Sequence, residues 1–292
     1  MNQDQMNYIK QQTLKAIDLI EGKTAPPDIP AAIPLLVNSS REGDNLASAF
    51  LGMNLLMYND QDDINYLKLI QDAFDKRGQI NHAKTEGDIN CFLAICYLNG
   101  WGGLITDKEK AFQLIKAGLS AGGNGPYTYM GLCYMSGIGV VKDENVALKY
   151  LKKGSQEGSA TSKYYMAIIE SKNLWNTFYV GKWFAEAAQE GCAPAMVENA
   201  ILLKNTNKFA LAEEMARKAI QYSGGDQNLI NRASEIIRDM GGIPPRYIKP
   251  ILPEVFFDEK GLPTMDKPRK NSLSKTNSNG GGLWSKIKKI LN

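Results

Sequence analysis

Laid against itself, the chain repeats. The segment from Cys96 to Gly122 runs Cys-Tyr-Leu-Asn-Gly-Trp-Gly-Gly and on through Asp107 and Ala111. The segment from Cys133 to Gly158 runs Cys-Tyr-Met-Ser-Gly-Ile-Gly-Val and on through Asp143 and Ala147. In both, the Ala precedes its closing Gly by 11 residues, and the two copies lie 36 apart. Ala32 with Gly43 and Val180 with Gly191 keep the same frame, and Ala212 with Ser223 keeps it more weakly. A period of about 33 to 36 residues falls in the window of helical solenoids, in which each unit buries its apolar face only by stacking on its neighbours.

Each unit reads as two helices around a turn. Ala147, Leu148, Tyr150 and Leu151 make an apolar stripe at i, i+3 and i+4, and Met130, Gly131 and Tyr134 make a second stripe upstream. Between them lie Gly137 and Gly139, which can take positive φ, and Asp143, which suits the cap of the following helix. Small residues recur on the first helix at Gly52, Ala94, Gly131, Ala167 and Ala200, where a missing side chain lets neighbouring helices approach closely. The predicted fold is all-α: a solenoid of about five helix-turn-helix units over residues 31–225.

The motif set Met130-Gly131, Tyr134, Gly137-Ile138-Gly139-Val140, Asp143, Ala147, Tyr150 and Gly158 resembles the Sel1-like repeat family, a relative of the tetratricopeptide repeat. Tyr97, Gly100, Gly102, Asp107, Ala111 and Gly122 match it nearly as well, with one extra loop residue. Later copies depart from the pattern: Glu170 replaces the Tyr, and the loop before Val180 lacks the two glycines, while Trp183 keeps the aromatic of the second helix. The resemblance spans about residues 31–224. It implies a right-handed superhelix whose concave face binds other proteins, and no catalytic residues.

The flanks differ from the repeats. Residues 1–30 read as a capping helix, with Ile9, Thr13, Ala16, Ile17 and Ile20 on one face, followed by a Pro-rich break. Residues 226–257 read as a last helix and an apolar Pro-punctuated segment packed along the solenoid, because its Ile, Leu, Val and Phe set would be a sticky patch if free. From residue 258 the chain carries eight Lys/Arg against three Asp/Glu, which leaves the rest at −2 of a total charge of +3. Residues 258–282 read as a flexible linker rich in Ser, Asn, Lys and Gly. Residues 283–292 read as a basic amphipathic helix. At 100° per residue Leu283, Trp284, Ile287, Ile290 and Leu291 fall within about a 120° arc, with Lys286, Lys288 and Lys289 outside it. Such a segment docks either on an anionic membrane surface or in a partner's groove.

Chemistry-bearing signatures are sparse. No Gly-x-Ser-x-Gly, His-Glu-x-x-His or phosphate-cradling P-loop occurs, and the Gly-rich loops recur as turns should. The lone His82 sits in an expected loop. The repeat register explains Cys96 and Cys133 as small buried residues, so no metal and no cofactor are expected. Mean hydropathy is −0.31 with no apolar run near the length of a membrane span, and residues 1–23 lack the apolar stretch of a secretory signal. A cytoplasmic setting is the expectation, possible contact with the inner face of a membrane included. Tyr127, Tyr129, Tyr164 and Tyr165 either pack in the core or anchor a partner, since tyrosine is enriched at binding hot spots. The reading is a non-catalytic scaffold for unidentified protein partners, with nucleic acid not expected. The alternative is an inhibitor or immunity-type regulator that occludes an enzyme or toxin; a hydrolase is disfavoured by the missing nucleophile constellation.

Overall fold

A computed structural model describes residues 2–22, 25–76, 83–121, 124–172 and 177–267. Thirteen helices follow one another among these residues: α1 (Gln3–Glu21), α2 (Ile29–Arg41), α3 (Asn45–Tyr58), α4 (Ile64–Asp75), α5 (Ala83–Asn99), α6 (Lys108–Ala121), α7 (Asn124–Ser136), α8 (Glu144–Gln156), α9 (Ala160–Glu170), α10 (Thr177–Gln189), α11 (Ala193–Asn205), α12 (Phe209–Gln221) and α13 (Gln227–Asp239). Sequential helices pack as hairpins α1/α2, α3/α4, α5/α6, α7/α8, α9/α10 and α11/α12, with α13 closing the stack. The fold is an all-α solenoid.

Small side chains set the spacing within each hairpin. Gly131 on α7 lies under Leu151 of α8, so close that a Cβ there would sit 2.6 Å from Leu151 Cγ. Gly52 makes the same approach to α4, where a Cβ would meet the Tyr66 carbonyl oxygen at 2.5 Å. Ala16, Ala94, Ala167, Ala200 and Ala233 are fully buried at the matching places of the other odd-numbered helices. The second helices repeat the device with Ala32, Ala111, Ala147 and Ala212, all at 0% exposure.

The turns use backbone conformations that L side chains avoid. Gly100, Gly102, Gly137 and Gly139 all have φ between 63° and 71°. In each such turn the second glycine of the pair (Gly102, Gly139) abuts the preceding second helix, at Leu67 and at Lys108 and Phe112 respectively. The glycine that ends the Ala-to-Gly frame is also left-handed, with φ of 91°, 89° and 91° at Gly43, Gly158 and Gly191. Aspartates then cap the helices that follow. Asp143 accepts from Asn145 and Val146, Asp63 from Asn65, and Asp28 from Ala31.

Three expectations change. Helix α1 does not cap the first hairpin; with Ala16 at the small-residue place it is the first helix of that hairpin, paired with α2. The expected count of about five becomes six hairpins: the α3/α4 unit, marked in the sequence by Gly52, has no small residue on its second helix, where Leu67, at 2% exposure, stands in place of the Ala or Val of the others. Residues 258–267, assigned to the linker, pair instead with what precedes them. Strands β1 (Phe256–Phe257) and β2 (Pro263–Thr264) run antiparallel, and Asp258 accepts from the Lys260 and Leu262 amides at the turn. Arg41 of α2 donates to Asp258 at 3.1 Å and to the Pro263 carbonyl at 3.0 Å. Residues 268–292, which include the predicted amphipathic segment, lie outside the described residues, as does His82.

Candidate partner-binding face

Backbone contacts between successive first helices (α1–α3, α3–α5, α5–α7, α7–α9 and α11–α13) are more extensive than any between successive second helices. A stack whose odd helices crowd together and whose even helices spread is curved, with the odd helices on the inside. The inner face therefore carries residues of α5, α7, α9, α11 and α13.

On these first helices the tyrosines connect neighbouring units. Tyr129 of α7 is influenced electrostatically by Cys91 and Asp88 of α5 on one side and by Tyr165 of α9 on the other. The start of α7 approaches α5 just as closely, since a Cβ on Gly125 would lie 2.6 Å from an Asp88 carboxylate oxygen. The Tyr164 and Tyr165 rings meet edge to face at 4.9 Å, and Tyr164 leans on Phe184 of α10 at 5.9 Å. Such aromatic pairs contribute about 0.5–1.5 kcal/mol beyond the area they bury. Desolvation holds Tyr129 and Tyr165 above the ordinary tyrosine range and pushes Tyr164 up to about 12, the neighbouring Glu198 carboxylate adding to that rise. All three are therefore neutral hydrogen-bonding groups at physiological pH.

A cleft of about 250 Å³ opens beside this pair, lined by Thr161, Tyr164, Tyr165, Pro194, Tyr222 and Leu229 among others. Glu198 of α11 accepts from Arg232 of α13 at 2.7 Å, and the Arg232 electrostatic influence reaches Tyr164. The cleft thus sets half-buried phenols beside Pro194 and Leu229, with an ion pair close to Tyr164. Tyr127 is placed differently: the Lys153 ammonium of its own hairpin sits 5.7 Å from its ring centroid, a cation–π contact that ties α7 to α8. Of the four tyrosines singled out in the sequence, Tyr129, Tyr164 and Tyr165 come together and Tyr127 stands apart. Sequence reasoning missed Thr161, Glu198 and Arg232, which carry no repeat signature of their own.

The cysteines pack as small hydrophobes. Cys91, Cys96, Cys133 and Cys192 are free and buried. Burial pushes Cys96 up to about 12 and Cys133 and Cys192 to about 11. Thiols held so far from ionisation are poor nucleophiles and poor metal ligands at neutral pH. Among the described residues, no group of three or more His, Cys, Asp or Glu is placed to hold a metal ion, and no helix is long and apolar enough to cross a membrane.

Comparison with known proteins follows the same geometry. The family model for the Sel1 repeat matches residues 90–122 and 127–159, the α5/α6 and α7/α8 units. Among solved structures, a Sel1 repeat protein from Oxalobacter formigenes is 20% identical, covering 75% of this chain and 88% of that one at a TM-score of 0.51, which bears on the fold alone. A Pseudomonas aeruginosa protein is similar at 15% identity, covering 80% of this chain and 82% of that one, with a TM-score of 0.46. A protective antigen present in uropathogenic Escherichia coli strains, described as displaying an SLR fold, is 14% identical over 81% and 62% of the two chains, at 0.39. No curated protein matches the chain.

Proposed function

We propose that this chain, a Sel1-like repeat protein, is a non-catalytic scaffold that holds a protein partner against its inner face. Sel1-repeat proteins generally mediate protein–protein interaction. The observation that carries the reading is the row of first helices on which Tyr164 and Tyr165 line a cleft, with Tyr129 close to Tyr165 and the Glu198–Arg232 pair close to Tyr164. Half-buried tyrosines lose little side-chain entropy on binding and offer both an apolar face and a phenol. Thr161→Arg tests it. Thr161 is exposed at the first turn of α9, so a long cation there obstructs the cleft without entering the core. The wild-type chain, used as bait in an extract of its source cells, is expected to retain a protein in fixed stoichiometry. The variant should lose it with an unchanged melting temperature. Retention by both would remove the cleft from the interface. A single enzyme retained one-to-one and silenced would favour the inhibitor reading over the scaffold.

The tail belongs to the same proposal. Residues 283–292 would tether the complex to an anionic membrane surface from the cytoplasmic side, with Trp284 and the aliphatic arc in the headgroup layer and Lys286, Lys288 and Lys289 on the lipid phosphates. Co-sedimentation with vesicles containing phosphatidylserine should fall about tenfold when the chain ends at Gly282. Equal sedimentation of the two chains would leave the tail to a protein partner.

A further inference from the structure

After α13 the chain does not leave the body. Residues 243–255 run without regular secondary structure, with prolines at 244, 245, 250 and 253, and cross from the last repeat to the first. Tyr247 packs on the core of the C-terminal repeats, close enough that a Cβ on Gly225 would lie 3.5 Å from its ring. Leu252, Val255, Phe257 and Met265 join the core of the N-terminal repeats, with Val255 at 9% exposure and the Phe257 ring 6.3 Å from Tyr66. From Tyr247 to Phe257 an extended segment covers roughly 30 Å at about 3.1 Å per residue. This strap spans a seam where the ends of the solenoid meet. The Tyr222 hydroxyl donates to the Gly22 carbonyl oxygen at 3.3 Å, and a cleft of about 230 Å³ opens there between Pro27 and Ile29 on one side and Gly191 and Tyr222 on the other, with Tyr247 and Pro250 on its wall.

The strap is held unlike the rest of the fold. Among the described residues, none of 243–255 takes part in a hydrogen bond or an ion pair, so side-chain packing alone fixes this stretch until β1 and Arg41 anchor its far end. Its anchors alternate with exposed apolar residues: Ile243, Ile248 and Ile251 stand 77–89% exposed. A segment joined only by apolar contacts, with its backbone amides unpaired in the fold, is the kind most readily exchanged for another of the same shape. The seam also shares Gly191 and Tyr222 with the tyrosine cleft, so whatever replaced the strap would enlarge the inner-face site.

We infer that the surface under the strap is a peptide-binding surface kept occupied by the chain's own residues 243–257. Its exogenous ligand is an extended, proline-punctuated peptide with aromatic and aliphatic anchors, which displaces the strap. This rests on the reading of the inner face as a partner site, and it adds an intramolecular competitor to that site. A tethered strap acts at an effective concentration near millimolar, so a free peptide of equal intrinsic affinity binds the intact chain poorly.

The test uses the full chain and a fluorescein-labelled peptide of residues 243–258. Leu252→Asp with Val255→Asp should release the strap, and the polarisation titration should then give a dissociation constant at least tenfold below that of the wild type. Tyr247→Ala, which loosens only the other anchor, should lower it severalfold. Helical circular dichroism should persist in both variants. Equal binding of the peptide by wild type and variants, or no binding by either variant, would overturn the inference. So would loss of helical structure in both, since the strap would then be a structural element. A released variant that dimerises at micromolar concentration and ignores the peptide would overturn it in favour of strap exchange between copies. The peptide is the chain's own, so its failure leaves the capture experiment at Thr161 unaffected.

Discussion

Gly139→Ala is expected to lower folding stability by about 3 kcal/mol, whereas Gly103→Ala should cost no more than about 1–2. Both glycines are left-handed, with φ of 63° and 76°, and an L residue in that region costs about 1–2 kcal/mol. They differ in what surrounds them. A Cβ on Gly139 would lie 2.5 Å from the Lys108 carbonyl oxygen and 2.6 Å from Phe112 Cβ, while a Cβ on Gly103 meets nothing within 4 Å. The atoms near Gly139 belong to the backbone and the root of a side chain, so the α6–α7/α8 contact must shift, and overpacking of that kind costs a further 1–3 kcal/mol or so. Urea unfolding of the two variants checks the difference; equal midpoints would mean that this turn does not bear on the preceding unit.

That contrast also explains which parts of the fold were legible. The α5/α6 and α7/α8 units announced themselves because their turns need glycine at two places each, and need cannot be disguised by drift. The α3/α4 unit shows only its first helix, through Gly52; its second escapes the frame although Leu67 and Gly78 are 11 residues apart, because a leucine takes the place of the expected small residue. Helix α1 reads as a cap because a Pro-rich break, and no Gly-x-Gly turn, separates it from α2, and Ala16 looks ordinary without its partner. In the last hairpin Asn207, at φ 58°, makes with a short polar side chain the turn that glycines make elsewhere. The tyrosines could be placed on first helices but not on a face, because each such helix touches its own partner and two neighbours. The strap was legible as apolar and packed, not in its destination. Where it lands depends on curvature, the sum of small rotations over six hairpins, and no local window holds that sum.

Raising the pH should unfold the chain cooperatively between about pH 10 and 12. Burial lifts Cys133 and Cys192 to about 11 and Cys96 to about 12, and holds Cys91 well above the usual thiol range. Tyr58, Tyr66, Tyr129, Tyr165 and Tyr247 are raised chiefly by desolvation, and Tyr164 reaches about 12. The folded chain therefore holds these protons more tightly than the unfolded one. Their stabilisation is complete below the unfolded values, near 9 for the thiols and 10 for the phenols. It is lost as the pH climbs toward the folded ones. For Cys133 alone, at 1% exposure, the interval from 9.0 to about 11 corresponds to roughly 3 kcal/mol. Several such groups together rival the roughly 5–15 kcal/mol by which a protein is stable at all. Helical ellipticity at 222 nm and the late component of tyrosinate absorbance at 295 nm should change together. Tyrosines that all titrate near pH 10 while the helices persist would show the phenols to be solvated.

Hydrogen–deuterium exchange of the chain with its captured partner bound reads the inner-face claim directly. The account predicts added protection in α7, α9 and α11 around Tyr129, Tyr164 and Glu198, and little change along α6, α8 and α12. Protection confined to those second helices would contradict it.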